Sequence, residues 1–368
     1  MKKIVIFSSV HPYDDSRVFH KEAVSLAKAG YHVELHAVAD FEHKEEQSVQ
    51  IFGVKRRSRW KRFVSGYELY QRALKSGADL FHFHDPELLP WGYLIHRRTG
   101  KPVIYDAHED LPKQIYTKSW IPKPLRGLVS KIVKVVEKGF AKRLTAVVTV
   151  VEAIEERFKE GGVKRVQIIK NYPLFVPGVE KVDDGVNRIL YVGGISYLRG
   201  YKEMIQMMDY LPQHLNAELH LIGPLQYIKE EDRNEEELRQ KNIYLHGRIP
   251  FQEVLNWYAK GKIGLVCLHP VENYLHALPI KLFEYMSMGL PQIVTDIPLW
   301  REIIESSKSG LTVDALNPKE IAEKVTQILE DEVLYKQMSE NSRKAFEESY
   351  NWQTEEKKLI KLYEELLQ

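Results

Sequence analysis

Short apolar runs of strand length alternate with amphipathic stretches of helical period along most of this chain. In the first half the runs lie at residues 4–7, 32–38, 79–83, 102–105, 146–150 and 166–169. In the second half they lie at residues 188–192, 218–222, 243–246, 263–268 and 292–295. The intervening patterns predict helices, among them one at residues 17–29. Strands that alternate with helices indicate an α/β fold with parallel sheets covered by helices on both faces.

This alternation is interrupted at residues 171–187, where two prolines and an Asp-Asp-Gly turn signal replace the periodic apolar positions. We interpret the interruption as the linker between two domains, 1–173 and 174–350. Both are predicted to be doubly wound and Rossmann-like, facing each other across a cleft lined by the carboxyl ends of their strands. The amphipathic segment 351–368 is predicted to be a last helix that packs back toward the N-terminal domain.

The composition is that of a globular chain of enzyme size, with 368 residues of which 44% are hydrophobic. Its one cysteine, Cys267, lies within a predicted strand, which indicates a buried side chain and excludes a disulfide within the chain. No segment approaches the roughly 20 apolar residues that a membrane-spanning helix needs. We therefore expect a cytoplasmic protein.

Charge is distributed unevenly between the halves. Residues 1–173 carry 31 Lys and Arg against 20 Asp and Glu, whereas the remainder carries 22 against 31. Two basic stretches stand out in the first half, from Lys55 to Arg62 and from Lys131 to Arg143. In the second stretch, four lysines form a helical stripe opposite apolar residues; the lysines are Lys131, Lys134, Lys138 and Lys142, and the apolar residues are Val129, Ile132, Val133 and Val136.

Two interpretations of these basic stretches are open. The lysine stripe is either the solvated face of a half-buried helix or a surface that docks onto anionic lipid head groups or a charged acceptor. Docking would place the protein at the inner face of the membrane. A nucleic-acid partner is not expected, because the positive charge is confined and aromatic stacking positions are sparse.

The most informative stretch is residues 278–291, which reads as a short helix between the apolar runs 263–268 and 292–295. Lys281 and Glu284 lie three residues apart at the start of this helix. Free backbone N–H groups and the positive dipole end of a helix favour phosphate, and Lys281 adds a full positive charge. Glu284 could accept hydrogen bonds from two sugar hydroxyls. The plain alternative is an ordinary surface Lys–Glu pair.

A second candidate phosphate site follows the first strand of the second half. Gly193 and Gly194 come directly after this strand and allow the backbone to approach a ligand closely. Arg199, near the start of the next helix, could hold phosphate in bidentate fashion. Because this loop shares one edge of the predicted sheet with Lys281 and Glu284, the five residues together could hold a diphosphate with its ribose.

In the first half, polar side chains gather at the predicted carboxyl ends of three strands. They are His11, Asp14, Asp15, Ser16 and Arg17 after the first strand, His82, His84 and Asp85 in the third, and His108 and Glu109 in the fourth. Asp15 or Ser16 could simply cap a helix. A metal-dependent hydrolase built on His82, His84, Asp85 and His108 is the main alternative, although none of the standard metal-ligand spacings is present.

Taken together, these motifs resemble a family 4 glycosyltransferase of the GT-B fold over nearly the whole chain. The resemblance rests on Leu278-Pro279-Ile280-Lys281-Leu282-Phe283-Glu284-Tyr285, on Val192-Gly193-Gly194 with Arg199-Gly200, on His84-Asp85-Pro86-Glu87 and on Asp106-Ala107-His108-Glu109. It implies a retaining transfer of sugar from a nucleotide-sugar co-substrate, such as a UDP- or GDP-sugar, without a metal or other cofactor. It also implies that the C-terminal domain binds the donor and that the N-terminal domain binds the acceptor. The acceptor carries a hydroxyl group, and lipid-linked sugars are among the acceptors of the family. The expected setting is the synthesis of cell-surface polysaccharide or glycolipid.

The resemblance also implies roles for single residues. Glu284 resembles the second glutamate of the family's E-x7-E motif, which holds the ribose. Arg199 and Lys281 resemble the cations that bind the diphosphate. His108 resembles the histidine that faces the transferred sugar. Donor-binding residues are expected to be Gly193, Gly194, Arg199, Arg248, His276, Ala277, Leu278, Lys281, Leu282 and Glu284. Acceptor-binding residues are expected to be His11, Asp14, Asp15, Arg17, His84, Asp85 and Glu109.

The chain departs from the family pattern at two positions. His276 stands where the motif has its first glutamate, and Gly194 stands where many members have arginine. Backbone N–H groups of Ala277 and Leu278 are expected to take over part of the missing glutamate's task. The same departure leaves a nucleotide-sugar-binding module without catalysis as a further alternative.

Overall fold

The computed structural model of the protein describes residues 1–58, 61–118 and 120–368, and in it the chain forms two units. Unit 1 comprises Met1–Asn171 together with Trp352–Gln368, and unit 2 comprises Tyr172–Asn351. Residues 59 and 60 of the first predicted basic stretch lie outside the described residues. The structure confirms the predicted α/β class, because each unit is built around its own largely parallel sheet with the Rossmann-like arrangement.

Unit 1 contains an eight-stranded sheet. Its strands are β1 (Lys3–Pro12), β2 (His32–Val38), β3 (His43–Glu46), β4 (Val49–Val54), β5 (Leu80–Phe83), β6 (Val103–Ala107), β7 (Ala146–Thr149) and β8 (Val166–Ile168). They lie in the order β3-β4-β2-β1-β5-β6-β7-β8, and β3 pairs antiparallel with β4 whereas the other pairs are parallel. The helices of this part are α1 (Val24–Lys28), α2 (Arg62–Ser76), α3 (Leu89–Thr99), α4 (Leu111–Gln114), α5 (Arg126–Ala141) and α6 (Glu152–Glu160).

Unit 2 contains a six-stranded parallel sheet. Its strands are β9 (Asn187–Val192), β10 (Ala217–Ile222), β11 (Ile243–Gly247), β12 (Ile263–Val266), β13 (Gln292–Thr295) and β14 (Gly310–Val313), in the order β11-β10-β9-β12-β13-β14. Its helices are α7 (Tyr201–Met207), α8 (Glu235–Gln240), α9 (Phe251–Lys260), α10 (Glu272–Leu275), α11 (Ile280–Ser287), α12 (Pro298–Ser307), α13 (Pro318–Glu330) and α14 (Glu332–Glu348). Counted within the unit, this is the strand order 3-2-1-4-5-6 of dinucleotide-binding folds.

The last helix, α15 (Trp352–Leu367), belongs to unit 1. Trp352 donates a hydrogen bond from its indole Nε1 to Ser25 Oγ at 2.9 Å. The Glu355 carboxylate accepts one from the backbone N–H of Lys170 at 2.8 Å. The hydroxyl of Tyr363 lies 2.6 Å from His82 Nδ1 in the core. Helix α15 is therefore hydrogen-bonded to α1, to the segment that follows β8 and to a buried histidine of β5.

Three strands of the structure, β3, β4 and β14, were not predicted from the sequence. The pair β3 and β4 forms the hairpin edge of the unit 1 sheet, where β3 is polar and largely exposed and so lacks an apolar signal. Strand β14 begins at Gly310, whose missing side chain lets the backbone pass close to Gln292. The predicted helix at residues 17–29 is present, but its first turns, Ser16–Ala23, are wound as a π-helix before α1 begins.

Of the helices in the described part of the chain, none combines the length and the apolar character needed to cross a membrane.

Candidate functional site

A pocket of about 460 Å³ opens in unit 2 at the carboxyl ends of β9 and β12. These two strands are neighbours at the point where the strand order reverses, which is where open α/β sheets bind their ligands. The polar residues that line it are Arg199, Tyr258, Tyr274, Lys281 and Glu284, and the backbone of Gly193 also contributes. Sequence motifs from two separate loops, one after β9 and one after β12, thus meet in one pocket.

Lys281 supplies a buried cation to this pocket. Its side chain is 9% exposed, and its Nζ has no hydrogen-bond partner among the described residues. The Nζ atom lies 3.4 Å from the centroid of the Tyr191 ring, a cation–π contact. Burial, followed by repulsion from Arg199, lowers the pKa of the Lys281 ammonium well below its usual value. The negative charge of an anionic ligand in the pocket would offset both effects on the pKa.

Arg199 is held at the pocket by two neighbours. Its Nη1 donates to the carbonyl oxygen of Gly194 at 3.1 Å, and its Nε donates to the Tyr274 hydroxyl at 3.4 Å. Burial acts against the charge, but the hydrogen bond to Tyr274 and the proximity of Tyr191 raise the pKa of Arg199. A side chain at position 194 would meet the guanidinium, so the glycine there leaves room for it.

Glu284 lies one turn into α11, and Tyr258 from α9 holds it. The Tyr258 hydroxyl donates to Glu284 Oε2 at 2.8 Å. At the start of α11, the N-cap Pro279 provides no side-chain cap within the described residues, so the first N–H groups of the helix remain available. The backbone just before it is fixed by Trp300, whose Nε1 donates to the carbonyl oxygen of Ala277 at 2.7 Å.

The structure does not bring every predicted donor residue into this pocket. Leu282 is fully buried in the core of unit 2, which is a packing role. His276 is exposed at the end of α10, and Arg248 is exposed after β11. Ala277 and Leu278 line the pocket as expected. Sequence reasoning missed Tyr191, Tyr258, Tyr274 and Trp300, because aromatic residues on amphipathic elements carry the same signal as core residues.

Unit 1 has its own pocket, of about 660 Å³, at the carboxyl ends of β1, β5 and β6. His11, His84, Asp85, His108 and Glu109 line it, and Phe63 and Trp120 form part of its apolar wall. His108 Nδ1 lies 3.4 Å from Asp106 Oδ1, and the His11 and His108 rings are 5.3 Å apart, edge to face. Burial opposes protonation of His11, yet the hydrogen bond to Asp15 and the charge of Asp85 raise its pKa.

Three of the predicted acceptor residues have other positions. Asp14 is exposed. Asp15 caps the helix that follows it, since its Oδ1 accepts from the backbone N–H groups of Arg17 at 2.9 Å and Val18 at 3.0 Å. Arg17 is only 4% exposed and turns into the core of unit 1.

Beneath the unit 1 pocket lies a closed polar network centred on Arg17. Its guanidinium is 2.8 Å from Asp106 Oδ2 and 2.9 Å from Glu22 Oε1. Burial opposes ionisation of Asp106, but Arg17 lowers the pKa of this carboxyl well below its usual value. Burial raises the pKa of Glu22 well above its usual value, and Arg17 offsets this only in part. Asp106 is therefore the carboxylate that the Arg17 guanidinium stabilises most, and burial shifts Glu22 toward its neutral form.

This network bears on the metal-dependent alternative. Ligand atoms of Glu22, His82, His84 and Asp106 lie within 4.8 Å of one another, a spacing that a metal ion could use. However, the Arg17 guanidinium already contacts both acidic side chains and supplies the positive charge that the Asp106 carboxylate needs. Asp85, a member of the predicted set, accepts hydrogen bonds from Ser8 Oγ and from the Ser9 backbone instead. These contacts do not favour the hydrolase.

Comparisons with known proteins agree with the motifs. The model of "Glycosyl transferases group 1" matches residues 177–345, and that of "Glycosyltransferase Family 4" matches residues 16–172. The uncharacterized glycosyltransferase MJ1178 of Methanocaldococcus jannaschii is 24% identical over 383 aligned positions, covering 99% of this chain and 98% of that protein. The chain spans about half the length of two other curated relatives that it matches.

Solved structures agree on the fold. A sucrose-phosphate synthase from Thermosynechococcus elongatus superimposes with a TM-score of 0.77 at 17% identity, over 100% of this chain and 99% of that one. HepE of Anabaena, solved in complex with UDP-glucose, gives a TM-score of 0.72 at 13% identity, over 99% of this chain and 100% of HepE. The two family models, which together cover nearly the whole chain, and the pocket residues agree: the chain belongs to the glycosyltransferases of the family 4 type, nucleotide-sugar-dependent enzymes of the GT-B fold.

Proposed function

We propose that the protein binds a nucleoside diphosphate sugar in the unit 2 pocket and transfers the sugar, with retention, to a hydroxyl acceptor bound by unit 1. The observation that carries the proposal is the Lys281 ammonium, buried, without a hydrogen-bond partner in the described part of the chain, and set beside Arg199. Two cations that repel each other in a pocket are costly unless an anion normally joins them. A diphosphate is the anion that the strand order and the α11 N-terminus suit.

The proposed chemistry follows from charge. The bond between the sugar's anomeric carbon and the phosphate oxygen breaks, and negative charge develops on the diphosphate. Arg199 and Lys281 stabilise this charge in a site of low polarity. On the same face, the acceptor oxygen forms the new bond to the anomeric carbon, and its proton passes to the departing phosphate. His108 is the proposed contact for the transferred sugar, and no protein nucleophile is required.

Substitution of the two cations tests the donor assignment. Lys281→Ala and Arg199→Ala are each expected to reduce turnover about a hundredfold or more, because each removes a group that stabilises the leaving diphosphate. Release of nucleoside diphosphate from UDP-, GDP- and ADP-sugars measures turnover, and thermal shift with UDP, GDP and ADP identifies the base.

Two surface variants of unit 2 serve as controls. Lys241 is paired with Asp209 and Arg301 with Asp296, both on the surface, so Lys241→Ala and Arg301→Ala should keep the wild-type rate. Wild-type turnover in both pocket variants would overturn the diphosphate assignment. Nucleotide binding without any transfer or hydrolysis in the intact protein would favour the non-catalytic module.

For the acceptor, we propose a lipid-linked sugar at an anionic membrane face, in the synthesis of a cell-surface polysaccharide or glycolipid. The support is the outer face of α5, where Leu128 is 60% and Val135 69% exposed, together with exposed Ile132 and Val136. A half-buried helix with only a solvated lysine face would cover these side chains. A bilayer interface suits apolar residues flanked by lysines.

The unit 1 pocket is physically connected to α5. Trp120, 52% exposed, lines the pocket at one end of the segment that leads to this helix. Arg126 in the first turn of α5 donates to the carbonyl oxygens of Ile121 at 2.9 Å and Tyr116 at 2.7 Å. Ser130 donates to the Pro112 carbonyl oxygen at 2.8 Å. An acceptor with an apolar tail could therefore place its sugar in the pocket while its tail stays at the α5 surface.

A further inference from the structure

Tyr258 approaches the donor pocket from α9 and is almost completely buried, at 1% exposure. Its hydroxyl donates to Glu284 Oε2 at 2.8 Å. Its ring packs edge to face against Tyr285, with ring centroids 5.6 Å apart and planes at 87°. Tyr285 is itself held by the backbone N–H of Val192, which donates to its hydroxyl at 3.0 Å. The Tyr258 hydroxyl thus comes from a rigid support.

The carboxylate that Tyr258 holds has a competing partner nearby. Lys281 precedes Glu284 by three residues on α11, a spacing at which oppositely charged side chains usually pair. In this structure the Lys281 Nζ has no hydrogen-bond partner among the residues described, although Glu284 is its natural counter-ion. One oxygen of that carboxylate is occupied by Tyr258 instead. The tyrosine therefore keeps the two charges apart.

Keeping these charges apart serves two ligand groups at once. Lys281 remains available to a diphosphate, and the Glu284 carboxylate is fixed where it can accept from a pair of neighbouring hydroxyls. A carboxylate that accepts two hydroxyl hydrogens must be held within a narrow range of orientations. Without the hydrogen bond from Tyr258, the Glu284 side chain would rotate toward the ammonium and neutralise it.

We propose that Tyr258 is a positioning residue that sets Glu284 for the ribose of the donor, so that selection of ribonucleotides over nucleotides without ribose hydroxyls depends on it. The inference rests on the proposed donor site and adds to it a residue that reads the sugar of the nucleotide through another side chain. Tyr258 contacts neither the diphosphate nor the transferred sugar in this account.

The test compares each nucleoside diphosphate with its 2′,3′-dideoxy analogue. Dissociation constants of UDP, GDP and ADP and of the three dideoxy compounds are measured on the whole protein by calorimetry. For the base that binds, the wild type is expected to prefer the ribose form by about tenfold or more, because the carboxylate forms charged hydrogen bonds to the hydroxyls. In Tyr258→Phe this preference should fall to about twofold.

Three further variants separate positioning from packing. Glu284→Gln should lose the preference, and the double variant Tyr258→Phe/Glu284→Gln should lose no more than Glu284→Gln alone. Tyr201→Phe is the matched control, since Tyr201 is a fully buried tyrosine of unit 2 whose hydroxyl donates to the Asp232 carbonyl oxygen at 2.6 Å. It should lower thermal stability yet keep the wild-type preference.

The outcomes distinguish this inference from the donor assignment. A ribose preference that Tyr258→Phe leaves at the wild-type ratio would overturn the positioning role, while the donor site would stand. A wild type that binds ribose and dideoxy forms equally would also overturn it, because Glu284 would then not read the ribose. If no nucleoside diphosphate binds at all, the donor assignment itself fails.

Discussion

The charge of Lys281 is central to the electrostatics of the unit 2 pocket. The Lys281 ammonium is buried, lies against the Tyr191 ring and is repelled by the guanidinium of Arg199, so its pKa is well below the usual value. A bound diphosphate would bring negative charge to the same place and raise that pKa again. Donor binding and protonation of Lys281 are therefore thermodynamically linked.

The sign of this linkage gives a prediction. Between the lowered pKa of the protein without diphosphate and the higher pKa of the complex, binding must take up a proton, and affinity should fall as pH rises. Below the lowered pKa the lysine is charged in both states, and this contribution to the pH dependence vanishes. The affinity for UDP, GDP or ADP is measured by calorimetric titration between about pH 7.5 and 9.5, above the second phosphate pKa of about 6. Titrations in buffers of different ionisation enthalpy measure the proton uptake.

Lys281→Arg is the control for this linkage. A guanidinium stays charged across the whole range, so proton uptake should disappear and affinity should depend less on pH. Proton uptake that persists unchanged in Lys281→Arg would assign the titration to another group and contradict the prediction.

The sequence predicted the pocket residues that follow strand ends better than those that support them. Gly193, Arg199, Lys281 and Glu284 could be found because polar residues after parallel strands share one edge of a sheet. Tyr258 could not, because its partner lies 26 positions away on another helix. Arg17 was predicted to face an acceptor, yet its ion pair with Asp106, 89 positions away, draws it into the core. Long-range polar pairing has no local signature.

At the scale of elements, apolar runs predicted the buried strands and missed those without such a run. Strands β1, β12 and β13 have mostly buried residues and were evident. Strand β3 is made of His, Lys and Glu residues, and β14 is four residues long and begins with glycine. Helix α5 was predicted, with Val129, Ile132, Val133 and Val136 on an apolar face opposite the lysines. In the structure its buried residues are Ser130, Glu137 and Ala141; Val129 and Val133 are half-buried, and Leu128, Ile132, Val135 and Val136 are exposed.

The exposed apolar residues of α5 lead to a prediction about membranes. Vesicles of phosphatidylcholine with phosphatidylglycerol should capture the protein in a flotation assay, whereas pure phosphatidylcholine vesicles should capture much less, because the lysines contribute roughly 1 kcal/mol each near an anionic surface. Ile132→Glu/Val135→Glu should abolish capture, since these positions would enter the interface. Added salt should weaken the wild-type interaction.

The control for this experiment is a pair of charge changes away from α5. Lys336→Glu and Lys344→Glu lie on α14 of unit 2 and alter net charge more than the α5 variant does. Capture should survive in this control if α5 is the contact. Equal loss in both variants would mean that net charge alone governs binding, and capture that is insensitive to the α5 change would refute the proposed surface.

At the scale of the whole molecule, each unit places its pocket by the same topological rule. In unit 1 the order reverses between β1 and β5, and in unit 2 between β9 and β12, and the two pockets lie at the carboxyl ends of these strands. Sequence periodicity could predict parallel sheets, and motifs at strand ends could then locate the pockets. It could not give the strand order, which depends on tertiary pairing between distant segments.

Because the C-terminal helix belongs to unit 1, its removal should lower the stability of unit 1 and leave that of unit 2 unchanged. A protein ending at residue 351 loses the buried side chains of Trp352, Leu359 and Tyr363. The loss of Tyr363 also removes the hydroxyl that lies within hydrogen-bond distance of His82 Nδ1. Removal of large core side chains costs about 3–5 kcal/mol each. We therefore expect unit 1 to unfold at a much lower temperature, while unit 2 keeps all of Tyr172–Asn351.

Scanning calorimetry with nucleotide distinguishes the two units in this truncated protein. Because the proposed donor pocket is lined by unit 2 residues alone, the nucleoside diphosphate that binds the full chain should raise the transition temperature of unit 2 by a similar amount in both proteins, as binding to the folded state requires. The unit 1 transition should not respond to it. Loss of the nucleotide-induced shift on truncation would show that donor binding depends on the C-terminal helix. If unit 1 instead unfolds at the same temperature in the truncated and the full-length protein, α15 contributes little to the stability of unit 1.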